Sequence, residues 1–299
     1  MSQTNQRHAK ARPGGTRVTL GAASHVGLRR STNQDAYCVL AGEELPPGID
    51  GLAAVADGMG GHRGGEVASS LAIHELLDRV TRHEPTGTAR AHSFALGPHV
   101  EAVNGEVYQA AMTPDLRGMG TTLTAAALIG GALELAHVGD SRAYLLRDRA
   151  IRRLTRDHSW VEEQVAAGLL TRTEAEGHPG RNMLTRALGI SQRVEVDGVT
   201  LEVQPHDILL LCSDGLHSLV GDDEIARVLT LQEPQRACET LIERANARGG
   251  SDNITAVVLR VDKLPKPGHS HGDEAVVDGA GHTGAGKGLL SRVIGRKRS

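Results

Sequence analysis

Aromatic side chains are scarce in this chain: one Trp, three Tyr and one Phe among 299 residues. Base stacking therefore has few platforms, and a formal net charge of -3 offers no basic patch of the kind nucleic-acid binding uses. Long apolar runs are missing too. None approaches the roughly eighteen residues needed to span a bilayer, and the polar start, Met1 to Gly15, holds no apolar signal segment, so a cytoplasmic protein without a transmembrane segment is expected. The three cysteines are odd in number, and Cys38 and Cys212 lie inside apolar runs where a free thiol acts as a small hydrophobe, which argues against a disulfide framework. There is no C-x-x-C, and the closest histidine pair, His269 and His271, lies in a Gly/His-rich tail, so nothing resembles a zinc cage.

What is present divides into three parts. Residues 1–16 are polar, and residues 263–299 are rich in Gly, His and Pro until a short basic amphipathic end from Leu289 to Arg298; both ends read as flexible. One large domain is expected over residues 17–262. Within it, Ile73, Leu76, Leu77 and Val80 follow the spacing of an amphipathic helix, as do Val100, Val103, Val107 and Ala111. Cys238, Leu241, Ile242 and Ala245 repeat that spacing, framed by Pro234 at the start and Gly249-Gly250 after the end. Strand-like runs with such helices between them, and few crossovers of βαβ length, predict an α+β sandwich rather than a parallel doubly wound sheet.

The strand-like runs meet aspartates. Gly51 to Ala56 ends at Asp57, Leu133 to Val138 at Gly139-Asp140, and Asp207 to Cys212 at Ser213-Asp214. In the opposite sense, Ile254 to Val261 begins after Asp252-Asn253, and Ala36 to Leu40 after Asp35. Antiparallel pairing sets C-terminal ends of some strands beside N-terminal ends of others, so all five carboxylates can meet at one edge. Such a set suits magnesium or manganese, which prefer hard oxygen ligands and keep water. The glycines after Asp57 permit unusual backbone angles and let the Gly58 carbonyl approach an ion. Each aspartate also has a plainer reading as a turn former or cap, strongest for Asp252 in Gly249–Asn253 and for Asp140 after Gly139. Arg30, five residues before Asp35, is the candidate phosphate-binding cation, with Arg29 as the alternative in a slipped register.

In order, the segments Arg30–Asp35, Asp57–His62, Gly118–Thr122, Val138–Arg142, Ser213–Gly215 and Ser251–Thr255 resemble the bacterial form of the metal-dependent protein serine/threonine phosphatases, type 2C, over roughly residues 17–262. The resemblance implies two antiparallel sheets packed as a sandwich and flanked by helices, in α-β-β-α layers, with metals at one edge. It implies that Asp57 bridges two Mg2+ or Mn2+ ions, that the Gly58 carbonyl binds one, and that Asp214 with Asp252 binds the other. Asp140 with Asp214 matches a third-ion position, Asp35 would sit close to the ions, and Arg30 would grip the substrate phosphate. A water activated by two ions about 3.5 to 4 Å apart would then attack phosphorus directly, the ions clamping the attacking and leaving oxygens. Two departures stand out: Gln34 replaces a common Glu, and Met59 occupies a position where animal members place a His, with His62 too far along to take that role. Asp157 to Gly189 resembles a flap beside the cleft, with capping boxes at Ser159-x-x-Glu162 and Thr171-x-x-Glu174.

Two decoys are set aside. Cys238 and Arg244 have the C-x5-R spacing of cysteine-dependent phosphatases, but Cys238 lies on an apolar helical stripe. Gly281 to Gly288 nearly spells a phosphate-binding loop, yet Gly288 stands where Ser or Thr would hold magnesium. The implied activity is hydrolysis of phosphoserine and phosphothreonine in proteins, a serine/threonine kinase or its targets, by a monomer. Competing readings are a hydrolase of small phosphoesters and a weakly catalytic partner-binding module; loss of acidic ligands would announce the latter, and the acidic set is complete.

Overall fold

The apolar runs of this chain are long enough to be buried on both faces, and the computed structural model, which describes residues 3–4, 15–60, 63–83 and 94–265, shows what covers each face. Among the described residues the strands are β1 (Gln3–Thr4), β2 (Arg17–His25), β3 (Asp35–Ala41), β4 (Ile49–Met59), β5 (Gly120–Thr121), β6 (Leu123–Ile129), β7 (Ala132–Val138), β8 (Arg142–Arg147), β9 (Ala150–Arg153), β10 (Asp197–Glu202), β11 (Ile208–Cys212) and β12 (Ile254–Lys263). All pairings are antiparallel. One sheet has the order β1-β2-β12-β11-β8-β9, the other β10-β7-β6-β4-β3 with β5 added to the end of β4.

Side-chain alternation divides each strand between two cores. In β4, Ala53 and Val55 face the opposite sheet, while Leu52, Ala54 and Ala56 face helices α1 (Gly64–Thr81) and α2 (Leu96–Ala111). In β11 and β12, Leu209, Leu211, Val257 and Leu259 fill the space between sheets. Their neighbours Leu210, Cys212, Ala256 and Val258 pack under α5 (Asp214–His217), α6 (Asp222–Leu231) and α7 (Pro234–Ala247). The result is the expected α-β-β-α sandwich, and all three helical stripes read from the sequence sit where their spacing placed them. The three cysteines are free and buried. Burial pushes the Cys38 and Cys212 thiols up to about 12 and raises Cys238 as well, so each is a packing residue.

One strand end differs from expectation. β4 does not stop at Asp57 but runs on to Met59, because Gly58 and Met59 pair with Thr121 and Gly120 of β5. The segment between β9 and β10 carries two short helices, α3 (Trp160–Ala166) and α4 (Arg172–Glu176), and is pinned by bridges Ser159–Leu184 and Thr121–Leu188. Thr171 and Glu174 form the full capping box. Ser159 makes half of one, accepting from the Glu162 amide at 3.4 Å. The Glu162 carboxylate lies instead among Arg172, Arg153 and Arg156, at 3.3, 3.6 and 3.9 Å. Among the described residues no helix is long and apolar enough to cross a membrane. The chain divides after Lys266, and the C-terminal tail from residue 266, His62, and most of residues 1–16 lie outside the described residues.

Candidate metal centre

Register brings the acids together. Asp35 and Asp57 stand directly opposite each other in the β3–β4 pair. In the other sheet, Cys212 pairs with Ala256, so Asp214, the first residue of α5, and Asp252, just before β12, emerge at the same edge. Asp140 lies where the chain crosses from β7 in one sheet to β8 in the other. A cleft of about 470 Å³ is lined by Arg30, Asp57, Gly58, Asp140, Asp214 and Asp252, together with Asn182 to Ile190 from the segment before β10. Six of the seven predicted site residues thus share one cavity.

Asp35 is the exception. Its Oδ2 accepts hydrogen bonds from Ser213 Oγ at 2.7 Å and Thr255 Oγ1 at 2.6 Å, and it lines a separate cavity with Asn33, Tyr37 and Glu66. It backs Asp57 rather than facing the cleft. Arg30, half exposed, donates to Asp252 Oδ2 at 2.7 Å.

Several supporting residues were not singled out by the sequence reading. Thr122 Oγ1 accepts from the Asp57 amide at 2.9 Å, and the Asp57 carbonyl accepts from the Thr122 amide and the Thr121 hydroxyl. Buried Asn253 organises the loop bearing Arg30: its Oδ1 accepts from the Gln34 amide, and its Nδ2 donates to the Val26 and Thr32 carbonyls, all within 2.9 Å. His217 Nε2 lies 3.0 Å from the Asp140 carbonyl oxygen. Thr121, Thr122 and Asn253 lie inside motif segments, which was the available signal. His217 had none.

The electrostatics are those of acids crowded together. Burial, joined by repulsion from Asp35, Asp214, Asp140 and Asp252, lifts Asp57 far above the usual carboxylate range. Burial and then Asp214 push Asp140 up to about 8, burial outweighs two hydroxyl donors to bring Asp35 to about 7, and burial with Asp252 takes Asp214 to about 6. Asp57, Asp140, Asp214 and Asp252 line one cleft, and carboxylates so crowded are sustained by shared protons or by cations among them.

The donor set fits divalent ions of the magnesium and manganese type. It is all oxygen, and Asp35 Oδ1 is buried with no hydrogen-bond partner, the kind of orphan that ordered water or an ion satisfies. At Gly58, a Cβ would lie 2.0 Å from the Gly65 carbonyl oxygen, so glycine is required for the backbone to pass. Among the described residues, no three His, Cys, Asp or Glu side chains close around one point. An open set of acids of this kind suits ions that retain water rather than a closed zinc cage.

Comparison with known proteins gives a consistent picture. The family model described as Protein phosphatase 2C matches residues 24–255. The chain is 40% identical over 245 residues to the serine/threonine phosphatase stp of Listeria monocytogenes, covering 80% of this chain and 94% of that protein. The solved structure of the S. agalactiae serine/threonine phosphatase superposes with a TM-score of 0.74 at 34% identity, covering 82% of this chain and all of that one. The catalytic domain of the serine/threonine protein phosphatase PstP, solved with two manganese ions, superposes with a TM-score of 0.70 at 40% identity, covering 82% of this chain and 99% of that one.

Proposed function

The chain belongs to the protein phosphatase 2C family, and from that premise we propose how its own residues divide the work of a metal-dependent serine/threonine protein phosphatase. The cofactors are Mn2+ or Mg2+. Asp57, the Gly58 carbonyl, Asp214 and Asp252 would hold two such ions. Asp140 with Asp214 would hold a further ion; these two acids line both the main cleft and an adjoining cavity beneath α3 and α4, which supports that assignment. When bound, the ions supply Lewis-acid activation of water and neutralise phosphate charge.

The chain's residues supply position. Arg30 presents a planar fork to the phosphate oxygens, and its half-exposed guanidinium reaches the cleft from a loop fixed by Asn253. Its bond to Asp252 sets it at the cleft rim. Asp35, behind Asp57, joins the two sheets through Ser213 and Thr255 and holds the acidic edge in register. The segment 157–189 forms the wall against which a protein substrate lies. Substrates are phosphorylated proteins; a serine/threonine kinase or its targets, a monomeric enzyme and a cytoplasmic location complete the proposal.

The observation that carries this reading is the convergence of four carboxylates in a single open cleft with two arginines, Arg30 and Arg186, too little positive charge to balance them. Purified protein with a phosphothreonine peptide should release phosphate with Mn2+ and not with a chelator, and Asp57→Asn and Asp214→Asn should each lose that activity. Activity that survives chelation, or survives in both variants, would refute it.

A further inference from the structure

The cleft has two unlike parts. Arg30, Asp252, Asp214 and Asp57 make one part charged, whereas Met59, Leu184, Ala187 and Ile190 add apolar surface among Asn182, Thr185 and Arg186. Ile190 is 51% exposed although its segment is firmly held. Asn104 of α2, itself buried, accepts from the Gly189 amide at 3.0 Å and donates to the Ser191 and Gln192 carbonyls at 3.1 and 3.2 Å. On the other flank, Leu188 exchanges both backbone hydrogen bonds with Thr121. The backbone on both sides of Ile190 is therefore fixed, and the side chain is presented rather than left loose.

Gly120 shows where it points. A Cβ placed there would lie 2.8 Å from Met59 Cε and 3.0 Å from Ile190 Cδ1, so the two apolar tips converge over bare backbone. A single exposed isoleucine needs no explanation. Two apolar tips meeting inside a substrate cleft, a few residues along β4 from Asp57, form a ledge. The cleft, at about 470 Å³, is also roomier than one phosphothreonine side chain requires.

We propose that Met59 and Ile190 form a specificity ledge that selects phosphoprotein substrates carrying an apolar side chain immediately beside the phosphorylated residue. The proposal rests on the phosphatase reading above. With the phosphate directed to Arg30 and the acidic floor, the neighbouring side chain covers the two tips, whereas a carboxylate there loses water against them, and the cation of that segment, Arg186, is already engaged by Asp197 and Glu195. Removing apolar contact of this size from a site changes kcat/KM by about tenfold or more.

The test uses phosphothreonine peptides identical except for Leu, Ala or Asp at the residue before or after the phosphothreonine, with Mn2+ present. Each kcat/KM is divided by that of the same preparation on a small aryl phosphate, so a general loss of activity cancels. The wild type should favour Leu over Asp by about tenfold at one of the two positions. Ile190→Asp should collapse or reverse that ratio, and Ile190→Leu should keep it. Equal rates on all peptides, or a ratio unchanged in Ile190→Asp, would overturn the ledge while leaving the phosphatase reading standing. No hydrolysis of any peptide or of the aryl phosphate would overturn both.

Discussion

Removing the carboxylate charge of Asp157 should unfold this protein more readily than most single changes on its surface. Asp157 opens the segment before α3 and accepts three hydrogen bonds from Arg142 of β8: from Nε to Oδ1 at 3.0 Å and Oδ2 at 3.2 Å, and from Nη2 to Oδ2 at 2.6 Å. The two side chains are 10% and 21% exposed. Burial alone would raise the Asp157 pKa, but the hydrogen bonds and charge of Arg142 overcome it and hold the acid below its usual range. In Asp157→Asn the guanidinium stays enclosed without its counter-charge, and breaking a buried pair in this way costs about 3 to 5 kcal/mol. Because Arg142 keeps some water contact, the lower end applies, about 3 kcal/mol, equivalent to a fall in Tm of about 6 to 12 °C for a domain of this size. Urea denaturation of the wild type, Asp157→Asn, Arg142→Met and the double variant Arg142→Met/Asp157→Leu measures it. The double variant should be nearer the wild type than either single one, since no charge is left stranded. A loss under about 1 kcal/mol in Asp157→Asn, or a double variant as unstable as the sum of the singles, would refute the reasoning.

In chelator, Asp57→Asn should melt above the wild type, because it removes a charge repelled by Asp35, Asp214, Asp140 and Asp252; with Mn2+ added the order should reverse, as followed by differential scanning calorimetry. Buried His137, lowered to about 4 by burial and then by His158, stays neutral when folded while an unfolded histidine protonates near pH 6.5. Its contribution is fully present above pH 6.5 and is lost as pH falls towards 4, about 2 kcal/mol of it by pH 5. Stability measured at pH 7 and pH 5 should fall by that much more in the wild type than in His137→Gln, which cancels the opposite trend of the raised carboxylates. Asn253→Ala, which removes three hydrogen bonds from the Arg30 loop, should raise KM for phosphopeptides at least fivefold, with a smaller change in kcat, in steady-state assays.

The fold was legible because its signals are local and periodic. Alternation in β4, β11 and β12 and the helical stripes around Leu76, Val103 and Leu241 are set by backbone geometry that the chain cannot evade. Strand direction predicted one edge for five aspartates; Asp57, Asp140, Asp214 and Asp252 share the cleft, and Asp35 lines a separate cavity behind it. What escaped is tertiary. The extension of β4 past Asp57 depends on β5, sixty residues away, and the half-made cap at Ser159 depends on three arginines competing for Glu162. His217 meets the Asp140 carbonyl across 77 residues of sequence, and neither position hints at the other.

Asp35 shows why five similar aspartates need not do five similar jobs. It begins β3 in one sheet, yet both donors to its Oδ2 belong to the other: Ser213 follows β11 and Thr255 lies in β12. Thr255 in turn bonds Ser24 at 2.8 Å, and Asn33 donates to Ser24, so a polar chain crosses the sandwich at the edge where apolar packing gives out. An apolar side chain at position 35 would take the carboxylate acceptor from both buried hydroxyls, leaving Thr255 with Ser24 and Ser213 with the Thr255 amide, at about 1 kcal/mol or more for each lost hydrogen bond. The same chain fixes the spacing between Asp57 on one sheet and Asp214 and Asp252 on the other. A shift between the sheets would therefore separate the acids that face the cleft, and Asp35 resists that shift from behind them, acting on the site through its geometry rather than by facing it.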